Sequence, residues 1–164
     1  MRVFVASFIK DEKIKEIAKN IQNQFSKFLH AKNVEIENLH ITYTFLGEKS
    51  FSEVKTIEEK LKECLKNEKA IVASISKILL IPNENFIRVI ALEIKSLEAE
   101  NLRKKIVSFV GGDSHSLHLT LARVKSFIDK QRFLDFIKTL IFEQVYFKIN
   151  TICLVESLLT PNGP

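Results

Sequence analysis

Two short strings in the sequence each place a histidine and a threonine two residues apart inside an apolar run: His40 with Thr42, and His118 with Thr120. Residues i and i+2 of a β-strand point to the same face, so each string would present a proton-transfer group beside a hydrogen-bond donor. The strings lie about half a chain length apart in a sequence of 164 residues, and their apolar flanks match. The sequence therefore predicts an internally duplicated protein whose halves share one site.

The residue types in these strings favour chemistry at phosphorus. Two imidazoles in one cleft can divide acid and base roles near neutral pH, because histidine titrates around pH 6.5. In-line displacement at phosphorus needs both roles, since the incoming oxygen loses a proton while the leaving oxygen gains one. Thr42 and Thr120 would donate hydrogen bonds to the non-bridging phosphoryl oxygens. We expect neither a metal ion nor a cofactor, since no Asp, Glu or His cluster has the spacing of a Mg²⁺ or Zn²⁺ site.

Longer stretches around both strings resemble a known family. Residues Leu39–Gly47 and His118–Arg123 are similar to the two-histidine (2H) phosphoesterase superfamily, and specifically to its RNA 2′,3′-cyclic phosphodiesterase branch, the LigT-like or 2′-5′ RNA ligase family. The resemblance begins at Arg2–Ala6, which is similar to the opening strand of the family, and ends at Ser157–Pro164, which is similar to its closing segment. It therefore spans nearly the whole chain.

The resemblance implies metal-independent opening of a 2′,3′-cyclic phosphate that leaves the phosphate on the 2′ oxygen, with reversible 2′-5′ RNA ligation as a further reaction. By this analogy His40 would protonate the departing 3′ oxygen and His118 would deprotonate the attacking water. The near-symmetry of the two strings leaves open which histidine is the base, and reversal of the reaction exchanges their roles. The implied partner is an RNA with a cyclic phosphate end or a small cyclic nucleotide.

The resemblance also points to two substrate-binding residues, Arg123 and Phe45. Arg123 matches the arginine that follows the second motif in the family and is expected near the phosphate. Phe45 occupies the equivalent place after the first motif, where its ring could stack on a base. Each lies five residues after its histidine. Strict alternation would therefore aim both side chains away from the histidine face, unless a bulge or the end of the strand redirects them.

Apolar periodicity and turn residues predict the elements that position the site. The predicted ranges are a strand over 2–8, a helix over 11–29 with His30 at its end, the first histidine strand over 39–46, a helix over 51–67, strands over 71–81 and 86–94, a helix over 97–109, the second histidine strand over 117–124, a helix over 129–140 and strands within 143–158. This order predicts an α+β, bilobal fold: two pseudo-symmetric lobes, each an antiparallel sheet backed by helices, with a central groove. We expect one domain, residues 1–164, with halves of approximately 1–80 and 81–164.

Composition and hydropathy bear on the partner and the cellular location of the protein. Lys and Arg outnumber Asp and Glu by 25 to 20, which favours an anionic partner but also fits a solvated, lysine-rich surface. The sequence has no membrane-length apolar run and no signal-peptide pattern before its first strand, so we expect a soluble, cytoplasmic monomer. Cys64 and Cys153 lie in apolar periodic segments and are expected to be reduced core thiols.

Two other functions remain open at this point. One is a non-catalytic RNA- or nucleotide-binding module that kept the groove, against which the intact His and Thr of both strings argue. The other is a 2H phosphodiesterase for another cyclic nucleotide, such as ADP-ribose cyclic phosphate. Of the remaining histidines, His30 is expected to be structural or at the surface. His115 lies in a glycine-rich loop before the second string and is a weaker candidate for substrate contact.

Overall fold

A computed structural model describes residues 1–142 and 145–157 and confirms the α+β fold. Its helices and strands are β1 (Arg2–Phe8), α1 (Glu12–Gln22), β2 (Leu29–Asn33), β3 (His40–Glu48), α2 (Phe51–Leu65), β4 (Ile71–Asn83), β5 (Phe86–Lys95), α3 (Leu97–Val110), β6 (His118–Phe127), α4 (Lys130–Thr139), β7 (Val145–Ile149) and β8 (Cys153–Ser157). Short 3₁₀ turns at Phe25–Lys27 and Ile36–Asn38 flank β2. The closing segment of the family resemblance lies outside the described residues from position 158 onward.

The strands of the described ranges form one antiparallel sheet in the order β7-β4-β5-β6-β3-β1-β8, with β2 paired to β6 beside that path. The two histidine strands, β3 and β6, are neighbours in this sheet and meet through the pair Ile41–Leu119. The sheet therefore divides at this pair into one lobe of β3, β1 and β8 and a second lobe of β6, β2, β5, β4 and β7. The sequence predicts two separate sheets, whereas the structure joins them into one, and both histidine strands lie where they join.

The two histidine strands pair with their neighbours in equivalent ways. Thr42 of β3 lies opposite Ala6 of β1, and Thr120 of β6 lies opposite Ala91 of β5. Each histidine strand is thus paired with the strand that begins its own half of the sequence. The halves nevertheless exchange elements, because β2 joins β6 and β8 joins β1. The single domain and its division near residue 80, a position inside β4, both stay predictions.

Side chains cap the first turn of each helix in the described part of the chain. Asp11, Ser50, Ser96 and Asp129 each accept a hydrogen bond from the backbone N–H three residues later. Helix N-termini leave such N–H groups without partners, and an Asp or Ser cap contributes about 1 kcal/mol. These caps explain why the helix starts could be read from the sequence to within a residue.

The helices cover the face of the sheet that is opposite to the histidines. Ile41 and Tyr43 of β3 and Leu119 and Leu121 of β6 are completely buried on this side. Helix α3 contacts β3, whereas α1 contacts β6. The helix of each half therefore supports the histidine strand of the other half, and burial of each large aliphatic side chain contributes about 1.5–3 kcal/mol.

The first helix is shorter than the sequence predicts. It ends at Gln22, and the chain then forms a 3₁₀ turn and enters β2, so His30 lies in a strand instead of at a helix end. Phe25 and Phe28 continue the helical spacing, but their rings pack against Phe133 of α4, each with centroids 6.2 Å apart. Tertiary packing therefore explains apolar residues that local periodicity assigned to a helix.

Two further expectations concern cysteines and membranes. Both cysteines are free, as expected, but only Cys64 is buried. Cys153 is exposed because it lies on β8, the edge strand of the sheet, so its assignment to the core is wrong. No helix in the described part of the chain is both long and apolar enough to cross a membrane.

Candidate functional site

The junction of β3 and β6 brings the two predicted histidines to one face of the sheet. Ile41 and Leu119 pair across the junction and are completely buried beneath it. Because side chains alternate along a strand, His40 and His118, which precede these residues, point to the opposite, partly exposed side. We call this side the His face. The antiparallel sense of the pair places the two histidines diagonally across the junction.

The two predicted threonines lie on the same face. Thr42 and Thr120 follow the paired residues and are both partly exposed. In an antiparallel pair the neighbour before one residue lies across from the neighbour after the other, so Thr42 lies on the side of His118 and Thr120 on the side of His40. Each imidazole therefore has a hydroxyl beside it on its own strand and another across the junction.

Hydrogen bonds orient both imidazole rings in the same way. Nδ1 of His40 donates to the carbonyl oxygen of Asn38 (2.7 Å), and Nδ1 of His118 donates to the carbonyl oxygen of Ser116 (3.1 Å). A carbonyl oxygen can only accept, so Nδ1 must carry the proton in both rings. This arrangement leaves Nε2 of each ring as the nitrogen that can exchange a proton with a ligand.

Burial lowers the pKa of His40, because desolvation disfavours the charged ring. The hydrogen bond to Asn38 raises the pKa and offsets part of this effect, whereas the positive charges of Arg123 and His118 lower it further. These charges act on His40 because both groups lie near it on the His face. In the free protein the neutral, proton-accepting form of His40 is therefore favoured at neutral pH.

Removal of the Arg123 charge should raise the pKa of His40. In the variant Arg123→Gln one of the cations that disfavour the imidazolium is gone, so the ring should titrate at higher pH than in the unmodified protein. An NMR titration of the histidine ring signals measures this directly. Lys125→Gln, two positions along β6, is the control, because the charge of Lys125 is not a cause of the shift. An unchanged or lower pKa in Arg123→Gln would contradict this placement of Arg123.

A bulge in each histidine strand brings Phe45 and Arg123 onto the His face. In β3 the partners of Val5 and Ala6 are Thr44 and Thr42, so Tyr43 is the extra residue. In β6 the equivalent shift leaves Leu121 without a partner on β5. Two consecutive residues are buried at each bulge, and the next residue, Phe45 or Arg123, is exposed. The sequence left the orientation of these two side chains open, and the bulges settle it.

Polar side chains satisfy the backbone at both bulges. The carbonyl oxygen of Tyr43 accepts a hydrogen bond from Oγ of Ser114 (2.6 Å). The carbonyl oxygen of Leu121 accepts from Nε2 of Gln22 (2.9 Å) and from the backbone N–H of Val34 (2.8 Å). A buried carbonyl without a partner would cost about 1–3 kcal/mol, so these bonds stabilise the bulges. Sequence reasoning missed Ser114 and Gln22, because their role depends on the two bulges.

The walls around the two histidines differ in chemistry. Phe4 and Phe8 of β1 lie beside His40, with ring centroids 5.4 and 5.5 Å from the imidazole, and Phe45 lies 6.1 Å from Phe4. On the other side His118 is paired with Glu93 of β5, whose carboxylate accepts from Oγ of Ser76 (2.6 Å). Glu93 lies two residues after Ala91, as Phe8 lies two residues after Ala6. Comparison of the two halves of the sequence beyond these alanines would therefore have identified Glu93 as the counterpart of Phe8. The His40 wall is therefore apolar and aromatic, and the His118 wall is polar.

The structure places the other two histidines at exposed positions. His30 is exposed on β2, opposite Ser126 of β6. His115 is exposed, and its Nε2 lies 3.3 Å from a carboxylate oxygen of Asp113. Across 1–142 and 145–157, no three His, Cys, Asp or Glu side chains form a group that could hold a metal ion.

Comparison with known proteins places the chain beside phosphoesterases. The family model described as "LigT like Phosphoesterase" matches residues 9–91. A Methanocaldococcus jannaschii protein named RNA 2′,3′-cyclic phosphodiesterase is 38% identical over 100% of this chain and 95% of its own length. An Archaeoglobus fulgidus protein of the same name is 32% identical, with the same coverage of both chains.

Solved structures show the same fold. The crystal structure of the Thermus thermophilus protein TT0787 has a TM-score of 0.80 at 23% identity and covers 100% of this chain and 92% of that chain. The crystal structure of E. coli LigT complexed with ATP has a TM-score of 0.64 at 17% identity and covers 98% of this chain and 90% of that chain. At these identities the likeness supports the architecture alone.

Proposed function

Because the chain belongs to the LigT-like phosphoesterase family, we propose that it hydrolyses the 2′,3′-cyclic phosphate end of an RNA to a 2′-phosphate. The resemblance to the 2H superfamily in the sequence is confirmed by the family match and by relatives along the whole chain. These relatives carry the name RNA 2′,3′-cyclic phosphodiesterase in organisms that include M. jannaschii and A. fulgidus. The chain spans 95% of the length of each relative, so the match includes nearly the whole of both proteins.

One observation carries the proposed mechanism: two imidazoles share the His face, and each is held by its Nδ1 so that Nε2 is free. In hydrolysis a bond forms between the water oxygen and phosphorus, and the bond between phosphorus and the 3′ oxygen breaks. One Nε2 takes the proton of the water, and the other gives a proton to the 3′ oxygen. We assign these two roles to His40 and His118, and hydrogen bonds to the non-bridging oxygens to Thr42 and Thr120.

The pKa of His40 bears on which ring is the acid. Its lowered pKa favours the neutral ring in the free protein, and a neutral ring is a base. The family analogy assigns His40 the acid role. That role requires the bound phosphate, which is an anion, to favour the imidazolium and raise the pKa again. The two assignments therefore differ in the protonation state of His40 in the substrate complex.

Arg123 and Phe45 complete the proposed site. The Arg123 guanidinium lies near His40 and would hold a non-bridging phosphate oxygen. The Phe45 side chain is half exposed on the aromatic wall, where its ring offers a surface for a nucleobase. The phosphate would thus be bound between the two histidines and beside Arg123, and the nucleoside would be bound on the aromatic side.

Hydrolysis should persist in excess EDTA. The proposed mechanism takes its acid and base from histidines and its charge stabilisation from Arg123 and the threonines, so it includes no step at a metal ion. The experiment incubates the protein with an oligonucleotide that ends in a 2′,3′-cyclic phosphate and follows the appearance of the 2′-phosphate. The double variant His40→Ala/His118→Ala is the control for contaminating enzymes.

The outcomes of this experiment separate the alternatives. Loss of activity in EDTA that added metal restores would contradict the mechanism. Binding of the oligonucleotide without turnover would support a non-catalytic binding module. Turnover of another cyclic nucleotide, such as ADP-ribose cyclic phosphate, but not of RNA would keep the chemistry and change the substrate.

Three further parts of the proposal extend beyond hydrolysis. With a 5′-hydroxyl in place of water, the same groups in the same roles would join a cyclic phosphate end to that hydroxyl, and the reverse cleavage would exchange the roles, so that 2′-5′ RNA ligation is reversible. We also propose that the protein acts as a monomer, since all four proposed catalytic residues come from one chain. Its two free cysteines fit a reducing, cytoplasmic setting.

A further inference from the structure

A cavity in the described part of the chain lies where β5 and β6 separate. Their pairing runs from Glu93–His118 to Val89–Arg123 and ends there. Beyond Arg123 both strands continue, and a cavity of about 560 Å³ lies between their ends. We call it the basic trough, and the residues of interest in its lining are Asn85, Phe86, Arg88, Arg123, Lys125 and Lys130.

Cations and aromatic rings dominate the lining of the basic trough. The guanidinium of Arg88 lies 5.0 Å from the centre of the Phe86 ring, and Phe86 is 57% exposed. Nζ of Lys130 donates to the carbonyl oxygen of Asn85 (3.0 Å), which links the two sides of the trough. Four of the lining residues carry a positive charge, and none of those described is Asp or Glu. Such a surface attracts a polyanion.

Arg123 connects the basic trough to the His face. It lines the trough, and its charge also acts on His40. A ligand whose phosphate lies between the two histidines, near Arg123, would therefore have the trough beside it. Arg88 and Lys125 extend the positive charge of Arg123 away from the histidines.

We propose that the basic trough binds the RNA strand next to its cyclic phosphate end. Arg88 and Lys125 contact backbone phosphates, and the exposed ring of Phe86 stacks on a base. Single-strand binding sites combine these two features, because cations follow the backbone and every base has a face that can stack. This inference rests on the proposed function for the position of the strand end, and it goes further by assigning a site that distinguishes an oligonucleotide from a mononucleotide.

The test compares the hydrolysis of two substrates by the full-length protein. One is a 2′,3′-cyclic mononucleotide, which reaches only the His face, and the other is an oligonucleotide with the same cyclic end. In Arg88→Glu/Lys125→Glu, kcat/KM for the oligonucleotide should fall about tenfold or more through KM, since two cationic contacts become repulsive. The value for the mononucleotide should change less than about twofold, because neither residue is part of the proposed catalytic machinery.

Two further variants sharpen the comparison. Phe86→Ala should raise KM for the oligonucleotide about fivefold or more, because a stacking surface is lost. Lys60→Glu/Lys104→Glu makes the same charge change at exposed positions on α2 and α3 and should leave both substrates unaffected. The thermal transition of each variant shows whether it is folded.

Equal losses on both substrates, or no loss on the oligonucleotide, would overturn the proposal. If the unmodified protein hydrolyses neither substrate, the proposed function fails, and fluorescence anisotropy with a labelled single-stranded RNA bearing a 3′-phosphate tests the trough alone. Weaker RNA binding by Arg88→Glu/Lys125→Glu, with a shallower dependence on salt, would support the trough. Unchanged binding, or equally tight binding of a polyglutamate peptide, would overturn it.

Discussion

Alanine in place of either His40 or His118 should lower turnover of a 2′,3′-cyclic phosphate substrate by about 10² to 10⁴. Each variant removes one of the two groups that exchange protons with the reacting oxygens. The unmodified protein should show a bell-shaped dependence of kcat/KM on pH, because one ring must be protonated and the other neutral. Each single variant should lose the limb that belongs to the missing ring.

Several variants serve as controls for this result. His30→Ala changes an exposed histidine outside the site and should retain normal turnover. Thr42→Ala and Thr120→Ala should each cost less than a histidine variant, because one hydrogen-bond donor is lost while proton transfer stays intact. Near-normal turnover in either histidine variant would require us to abandon the acid and base assignment.

The histidines and threonines could be predicted from the sequence because their geometry is local. Residues i and i+2 share a face on any regular strand, so the strand alone decides that His40 and Thr42 lie together. The pairing of β3 with β6 is not local and was not predicted. The repeat predicted one shared site, with the two strings on facing walls of a groove and not on neighbouring strands of one sheet. Most helices and strands were predictable for a similar reason, because caps and apolar periodicity act within a few residues.

The orientation of Phe45 and Arg123 depends on contacts that no local pattern reveals. A bulge adds one residue and reverses the side-chain alternation that follows. The bulge at Tyr43 requires Ser114, which lies on a loop 71 residues later, and the bulge at Leu121 requires Gln22, which lies 99 residues earlier. The strand β2 was missed because its five residues include Lys32 and Asn33 and show no clear alternation. In each case partners distant in sequence decide the structure.

The two-fold repeat and the different walls explain how a symmetric scaffold can perform an asymmetric reaction. The scaffold supplies two equivalent imidazoles, but Phe8 lies opposite His40 where Glu93 lies opposite His118. An apolar ring beside an imidazole adds to the desolvation that lowers the pKa of His40. Residues outside the two strings therefore make the surroundings of the two histidines different.

Gly112→Ala should destabilise the protein by about 3 kcal/mol or more, the largest loss expected from alanine at any of the described glycines, Gly47, Gly111 and Gly112. Gly112 has a φ of +98°, which strains any residue with a side chain. A Cβ there would also lie 2.6 Å from the carbonyl oxygen of Phe45 and 2.9 Å from Cδ2 of Leu46. The first of these atoms is backbone of β3 and can move only with the strand.

Gly111→Ala is the matched control for this prediction. Gly111 also has a positive φ, +73°, but a Cβ there would meet no atom within 4 Å. Gly111→Ala should lower the free energy of unfolding, measured by urea denaturation, only by the backbone strain of about 1–2 kcal/mol. The difference between the two variants then measures the contact of the 111–113 loop with β3, where Phe45 and Asp113 exchange two backbone hydrogen bonds of 2.8 Å. Equal losses would mean that this loop does not hold Phe45, and the aromatic wall of the site would need another support.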